Sequence, residues 1–283
     1  MSSEHEVSVK QEVNQVSMKR PHVVMLGAGA SRAVCPKGEK NGKILPLMAD
    51  FNKILGIDSL LEEWGINPNS NFEEVFSDFF ESKQFEKIKK IQNLTESYFE
   101  QLSLPDQPTI YDHLVLSLRE KDIIATFNWD PLLVQAYLRN QRSGLSLPKL
   151  AFLHGNVSVR ICEKDKISGI FGRKCSKCGK ELVRPPLLYP IRKKNYAQNP
   201  FIVNEWNMLK WGFANAFMIT IFGYSGPKAD EEAIAAMKEA WGDKNDRNME
   251  QTAFITTQKE DQVIKNWKPF IHTHHYEINE NFY

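Results

Sequence analysis

The chain has 283 residues, of which 42% are hydrophobic and 25% are charged, and its formal net charge at pH 7 is +1. This composition is ordinary for a globular protein, and the length suffices for one large domain with insertions or for two domains. A nearly neutral chain has no overall field that attracts nucleic acid, and no apolar run approaches the roughly 18 residues of a membrane span. We therefore expect no membrane association and no direct binding of nucleic acid.

The first twenty residues are polar and contain no apolar segment of the kind found in secretion signals. We predict that residues 1–20 form a flexible N-terminal arm and that the folded domain spans residues 21–283. Four cysteines, three of them clustered, do not resemble a disulfide framework. A reducing, cytoplasmic location and a metal-binding role for the cluster are the expectations that follow.

Five short apolar runs that end in small or polar residues are predicted to be strands. They are the segments HVVMLGAGAS, DIIATFNWD, KLAFLHG, AFMITIFGYS and TAFITTQ. Apolar runs without alternation are typical of strands buried on both faces, and hence of a parallel sheet. Because helical patterns follow the second and fourth runs, we predict an α/β fold with a Rossmann-like parallel sheet.

Two segments interrupt this alternation, and the chain closes with one further run. Residues 50–118 are strongly helical and rich in phenylalanine, which predicts a helical insertion packed over the edge of the sheet. Residues 156–200 are rich in turns and contain three cysteines, which predicts a small zinc-ribbon-like insertion, the cysteine module. The final run, FIHTHHYEI, predicts an edge strand.

The spacing of the clustered cysteines leaves two interpretations open. Twelve residues separate Cys162 from Cys175, and two more separate Cys175 from Cys178. Asp165 stands where a fourth thiolate would complete a zinc site, and a carboxylate is an acceptable zinc ligand. The segment is therefore either a structural zinc site with these four ligands or a degenerate site that folds without metal. Cys35, far from the cluster, is expected to be a small buried residue.

Ligands of open α/β sheets bind beyond the carboxyl ends of the strands. Four of these ends carry small or polar residues: Gly27, Ala28, Gly29 and Ser31, then Asn128 and Asp130, then His154, then Gly223 and Ser225. Taken singly, each has a plain structural explanation, such as a tight turn or an Asn or Asp helix cap. Together they predict one polar crevice, in which the glycines would let backbone N–H groups approach a diphosphate.

The segments GAGAS, TFNWD, LHG and FGYS, with the cysteine module and RPPLLYP between the last two, resemble the sirtuin-type NAD-binding fold. The resemblance covers roughly residues 21–260 without the helical insertion. It implies that the first glycine turn cradles the diphosphate and nearby ribose of NAD through Gly27, Ala28, Gly29 and Ser31. It further implies that Gly223 and Ser225 line the adenosine end and that Thr256 or Thr257 contacts the adenine ribose.

The same resemblance assigns the reacting end of the dinucleotide. It implies that Asn128 lies beside the nicotinamide ribose, that Asp130 lies near the carboxamide, and that His154 is the general base. A histidine with an unperturbed pKa near ~6.5 suits proton removal at neutral pH. Zinc, if bound, would be structural, as in the sirtuin zinc ribbon.

Two departures from the deacetylase pattern affect the expected activity. The loop after the first glycine turn is longer and has no arginine after Phe51, and Phe127 replaces the usual glutamine before Asn128. TFNWD and GYS look more like the sirtuin-like domains of bacterial antiphage defence proteins, which hydrolyse NAD. The resemblance thus implies an NAD hydrolase that depletes NAD, gated by homo-oligomer assembly or by a partner defence protein. A protein lysine deacylase and a non-catalytic nucleotide-sensing module are the alternatives.

Overall fold

The computed structural model describes residues 19–141, 146–170, 172–191, 196, 199–226, 230–243, 251–271 and 275–283. Nearly all of the predicted N-terminal arm therefore lies outside the described residues. A six-stranded sheet forms the centre of the fold. Its strands are β1 (His22–Leu26), β2 (Ile123–Thr126), β3 (Lys149–Phe152), β6 (Met218–Phe222), β7 (Gln251–Ile255) and β8 (Tyr276–Asn279).

The sheet is parallel at every pairing, in the order β3-β2-β1-β6-β7-β8. Val24, for example, lies opposite Ile124 of β2 on one side and Thr220 of β6 on the other. Counted along the chain, this is the order 3-2-1-4-5-6 that doubly wound dinucleotide-binding folds adopt. The order reverses between β1 and β6, which opens a crevice at the carboxyl ends of these two strands. The predicted fold class is confirmed.

The helices alternate with the strands and include a group of six between β1 and β2. They are α1 (Ala28–Val34), α2 (Phe51–Leu55), α3 (Ile57–Glu63), α4 (Phe72–Glu81), α5 (Phe85–Glu100), α6 (Ile110–Ser117), α7 (Leu132–Gln141), α8 (Pro200–Asn215), α9 (Glu231–Trp241) and α10 (Glu260–Trp267). Helix α8 has a cap of the kind that its sequence favours. It begins with Pro200, and the Asn199 side chain accepts a hydrogen bond from the Phe201 amide. Among the described residues, none of these helices is long and apolar enough to cross a bilayer.

Both faces of the sheet are covered, which explains why the strands are apolar without alternation. Val24 and Leu26 of β1 point into one hydrophobic cluster, with side chains of α2 to α7. Val23 and Met25 point to the opposite face, into a second cluster formed with α8, α9 and α10. Successive side chains of a strand alternate between faces, so a strand buried on both sides must be apolar throughout.

The helices α2 to α6 lie within the predicted helical insertion, but they cover a face of the sheet, including the central strand β1, and not its edge. They pack through aromatic rings. Phe51 lies against Phe72 with ring centroids 4.4 Å apart, and Phe76 stacks on Tyr189 at 4.8 Å. Two phenylalanines of the same segment, Phe80 and Phe85, are instead 50% and 64% exposed. The helical segment therefore contributes core on its inner side and leaves an apolar edge outside.

The cysteine module is a small antiparallel unit between β3 and α8. Its strands are β4 (Val159–Ile161) and β5 (Ser168–Ile170). Arginines at its base pair with α5: Arg184 contacts Glu96 and Glu100, and Arg160 lies 3.6 Å from Glu100. These ion pairs fix the module against the helical segment.

Candidate active site

A cavity of about 590 Å³ opens at the carboxyl ends of the central strands. Its volume lies within the roughly 300–1,000 Å³ that ligand sites occupy. The nine residues predicted to bind or cleave NAD all line it: Gly27, Ala28, Gly29, Ser31, Asn128, Asp130, His154, Gly223 and Ser225. Thr256 and Thr257 line it as well. The structure brings the predicted set together, and the role of each residue stays a prediction.

Sequence reasoning missed the apolar walls of this cavity. They come from the long loop after α1 (Leu45, Leu47), from the helical segment (Phe51, Phe99) and from the loop after β2 (Trp129). The Trp129 ring meets Phe99 and Phe51 edge-on, at 5.9 and 6.2 Å between centroids. The phenylalanine-rich pattern predicted the helices but carried no information about which rings face a ligand. Such walls limit the access of water to the polar groups of the cavity.

The glycines after β1 and β6 let two loops approach each other closely. A Cβ at Gly27 would lie 2.5 Å from the Gly223 carbonyl oxygen, and one at Gly29 would lie 2.9 Å from Gly223 Cα. The Gly27 and Gly29 amides donate to the Phe222 and Gly223 carbonyls, both at 3.0 Å. These two N–H groups are therefore engaged by the β6 loop, which differs from the expectation that they face a diphosphate. Glycine is required at positions 27 and 29 because a side chain at either would collide with the loop after β6.

Asn128 follows β2, and hydrogen bonds hold its side chain against the turn after β1. Its Nδ2 donates to the Gly27 carbonyl and to Ser31 Oγ, both at 2.8 Å. Its backbone amide donates to Thr126 Oγ1 at 3.0 Å. An amide nitrogen has two hydrogens, and both are used here. The amide oxygen is therefore the polar atom that this side chain can offer to a ligand.

Asp130 combines the two interpretations that its sequence position allowed. Its Oδ1 accepts from the Leu132 amide at 3.1 Å and so caps α7, while its Oδ2 accepts from Ser31 Oγ at 2.6 Å. The residue also lines the cavity, although it is only 4% exposed. Burial raises the pKa of Asp130 above its usual value, and the hydrogen bonds from Ser31 and Leu132 oppose this rise.

His154 lies at the turn after β3, in a position that the neighbouring backbone fixes. Gly155 has a φ of +77°, and a Cβ there would lie 2.6 Å from the Pro186 carbonyl oxygen. The His154 carbonyl accepts from the Leu188 amide at 3.0 Å. The following glycine therefore allows the chain to reverse where the imidazole reaches the cavity.

Helix α8 holds the strand end that leads to His154. Glu205 Oε2 accepts from the Phe152 amide at 2.7 Å, and Trp206 Nε1 donates to the Leu153 carbonyl at 3.1 Å. β3 is an edge strand, so the Phe152 amide takes a side-chain acceptor in place of a further strand. Burial raises the pKa of Glu205 from 4.5 to about 7, and the Phe152 hydrogen bond opposes this rise.

Aromatic rings lie beside His154. The Phe127 ring meets the imidazole edge-on at 4.9 Å and stacks on Tyr224 at 4.3 Å. The Tyr224 hydroxyl donates to Asp230 Oδ2 at 2.8 Å. The residue that replaces the expected glutamine therefore makes an apolar wall beside the candidate base.

The four predicted metal ligands converge, with donor atoms within 4.8 Å of one another: Cys162, Asp165, Cys175 and Cys178. Cys162 Sγ lies 3.6 Å from Cys178 Sγ, and Asp165 Oδ2 lies 3.4 Å from Cys162 Sγ and 3.2 Å from Cys175 Sγ. Tetrahedral zinc with its usual bond lengths would separate such ligands by roughly 3.5–3.8 Å. The donor set fits a structural zinc ion. Cys35 is buried away from this set, as predicted.

The two halves of this site have matching backbone turns. The Lys166 amide donates to the Cys162 carbonyl, and the Gly179 amide donates to the Cys175 carbonyl, both at 2.9 Å. Lys166 and Gly179 have φ values of 56° and 70°. The aspartate therefore occupies the same place in the first turn that a cysteine occupies in the second, as paired zinc knuckles would require.

No family model matches the chain, and no curated protein matches it. Among solved structures, a Sir2 homolog in complex with NAD is similar, at 17% identity over 97% of this chain and 90% of that chain, with a TM-score of 0.48. A sirtuin structure described as the structural basis of sirtuin substrate affinity matches at 16% identity over 98% of this chain and 95% of that chain, with a TM-score of 0.47. Sir2Tm bound to a propionylated peptide matches at 17% identity over 96% and 93%, with a TM-score of 0.42. The fold assignment rests on the strand order and register described above.

Proposed function

We propose that this protein hydrolyses NAD at the bond between nicotinamide and ribose, giving nicotinamide and ADP-ribose. The observation that carries the proposal is the convergence of Asn128, Asp130 and His154 on one cavity at the point where the strand order reverses. Ligands of doubly wound sheets bind at this point. The cavity is mostly apolar with few polar groups, which is typical of a cofactor-sized ligand site.

The proposed chemistry balances without another reactant. Water adds to C1′ of the ribose, nicotinamide leaves with the electrons of the C–N bond as a neutral molecule, and one proton is released. His154 takes that proton from the attacking water, and the Asn128 amide oxygen orients the water or a ribose hydroxyl. Asp130 lies near the carboxamide of the nicotinamide. Because the walls around Trp129 are apolar, bulk water stays away from the cationic ribose that develops.

A protein lysine deacylase would use the same first step, with an acyl-lysine oxygen in place of water. Phe127 favours hydrolysis, since it departs from the deacetylase pattern and sets an apolar ring against His154. The resemblance of TFNWD and GYS to antiphage domains favours the same activity. We infer a defence effector that depletes NAD, and a resting state maintained by self-assembly or by a partner protein.

The test is incubation of the full chain with NAD alone, with nicotinamide and ADP-ribose measured by chromatography. Release of both products without any peptide is the expected result. Product formation only when an acetyl-lysine peptide is present would replace hydrolysis by deacylation. Binding of NAD without turnover, in the absence and presence of peptide, would favour a nucleotide sensor. The Asn128→Ala variant is the control for contaminating activity.

A further inference from the structure

The Ser31 network consists of Ser31, Tyr111, Asn128 and Asp130, and its member from α6 was not predicted from the sequence. The Tyr111 hydroxyl lies 2.8 Å from Ser31 Oγ and also accepts a long hydrogen bond, of 3.5 Å, from Asn128 Nδ2. Ser31 Oγ also lies 2.6 Å from Asp130 Oδ2 and 2.8 Å from Asn128 Nδ2. The tyrosine is 1% exposed and does not line the cavity. It therefore reaches the site only through other side chains.

When Asp130 is ionised, one assignment of donors and acceptors satisfies all the hydrogen bonds of this network. The single hydroxyl hydrogen of Ser31 donates to Asp130, and Asn128 donates to Ser31. A serine oxygen has room for two acceptor bonds, so the Tyr111 hydroxyl is the second donor. Burial raises the pKa of Tyr111 well above its usual value, so the phenol keeps this proton at working pH.

We propose that Tyr111 is a positioning residue for Asn128, acting chiefly through Ser31, whose Oγ is nearer to the phenol than Asn128 Nδ2 is. The Tyr111 hydroxyl fixes the rotamer and donor direction of Ser31, and Ser31 in turn holds Asn128 Nδ2 away from the ligand. The amide oxygen of Asn128 is then the atom left for the substrate. This inference rests on the proposed NAD hydrolysis for its kinetic consequence, but its structural consequence can be measured separately.

Neighbouring contacts hold Tyr111 rigidly enough for this role. The next residue, Asp112, accepts from Thr109 at the start of α6 and from Arg139 and Asn140 of α7. The first turn of α7 is capped by Asp130 itself. Both ends of the Ser31 network are thus anchored to α7, so the phenol and the carboxylate are held at fixed separation.

The test compares Tyr111→Phe with Tyr189→Phe. Tyr111→Phe removes only the hydroxyl that reaches Ser31. Tyr189→Phe removes a hydroxyl from another buried tyrosine, whose oxygen lies 3.4 Å from the Gln92 carbonyl, outside the network. We expect Tyr111→Phe to lower kcat for NAD about tenfold with KM within about twofold of wild type, and Tyr189→Phe to leave both unchanged. Equal kcat in the two variants, with wild type active, would overturn the positioning role and leave the proposed function intact.

A second readout does not require turnover. The side-chain amide resonances of Asn128 are recorded in full-length protein labelled with ¹⁵N-asparagine and assigned by their loss in Asn128→Asp. We expect these resonances to shift in Tyr111→Phe and to stay in place in Tyr189→Phe. Unchanged Asn128 resonances in Tyr111→Phe would overturn the proposal. An inactive wild type whose Asn128 resonances still shift would reject the hydrolase and keep the positioning role.

Discussion

The side chain of Asn128 is tied to the carbonyl of Gly27 by a 2.8 Å hydrogen bond, which joins the end of β2 to the turn after β1. The two residues are far apart in the sequence, but their strands are neighbours in the sheet. The bond fixes which end of the amide faces the backbone. An asparagine held in this way is preorganised, and preorganised polar groups stabilise a transition state without reorganising during the reaction.

Asn128→Ala is expected to reduce NAD cleavage by at least about 100-fold, because the group that orients the attacking oxygen is lost. The measurement is nicotinamide release under saturating NAD. Asn69→Ala, in an exposed loop between α3 and α4, is the matched control and should keep wild-type activity. An Asn128→Ala protein that retains both its melting temperature and its turnover would remove this residue from the mechanism.

His154→Ala is expected to lower kcat by roughly 10²–10⁴-fold, the range that a general base contributes. His113→Ala is the control, since that histidine is exposed on α6, away from the cavity. Addition of free imidazole should restore part of the activity of His154→Ala and none in Asn128→Ala. Undiminished hydrolysis by His154→Ala would show that another group takes the proton.

The predictable part of this site is the part that local sequence encodes. The run from Val23 to Leu26 predicts a doubly buried strand, and the rule for parallel sheets places the polar residues that follow such strands at one edge. That reasoning brought Asn128 and His154 together without knowledge of the strand order. The spacing between Cys162 and Asp165 likewise identified a carboxylate that the structure places among three thiolates.

The unpredictable part depends on packing between elements that are distant in sequence. Tyr111 reaches Ser31 across eighty residues, and nothing in the local pattern of α6 marks its hydroxyl as different from that of any buried tyrosine. The close approach of Gly27 and Gly223 is hidden for the same reason, since a glycine turn predicts freedom of the backbone but not its neighbour. The amides expected to face a diphosphate proved to be engaged by that neighbouring loop.

Gly223→Ala tests whether this close approach holds the site together. Gly223 has a φ of +62°, and a Cβ there would lie 2.1 Å from the Ala30 amide nitrogen. Gly65 has a φ of +71° but no atom within 4 Å of the position that a Cβ would take. Gly65→Ala therefore introduces backbone strain without a steric clash. We expect Gly65→Ala to lower the free energy of unfolding by about 1 kcal/mol and Gly223→Ala to lower it by clearly more.

NAD binding should separate these variants further. Gly223→Ala should lose NAD binding in calorimetry, because the clash displaces the turn that carries Ser31, and Gly65→Ala should bind normally. Equal stability and equal NAD affinity in the two variants would contradict the role assigned to this contact.

Metal analysis of the purified chain is expected to find about one equivalent of zinc, held by three thiolates and one carboxylate. Cys175→Ser and Asp165→Ala should each reduce zinc content and lower the temperature at which the module unfolds. Cys35→Ser is the matched control, because this cysteine is buried outside the site. A metal-free protein that is as stable as the zinc-loaded one would favour the degenerate-site interpretation.

Glu205 should make stability depend on pH in a defined window. Its pKa is raised from 4.5 to about 7 in the folded protein, first because of burial. Between these two values the folded chain holds a proton that the unfolded chain has lost. The stabilisation is therefore fully present below pH 4.5 and is lost as the pH rises through about 7, amounting to about 3 kcal/mol.

Glu205→Gln removes this titration while keeping an oxygen that can accept from the Phe152 amide. The difference in unfolding free energy between wild type and Glu205→Gln, measured by urea denaturation, should therefore favour the variant by about 3 kcal/mol more at pH 8 than at pH 4.5. Glu62→Gln, at an exposed position of α3, is the matched control substitution. Because α8 also holds the Leu153 carbonyl next to His154, Glu205→Gln should have the same activity as wild type at each pH at which both proteins are folded. A difference that stays constant across this window would mean that Glu205 carries no proton in the folded state at pH 6.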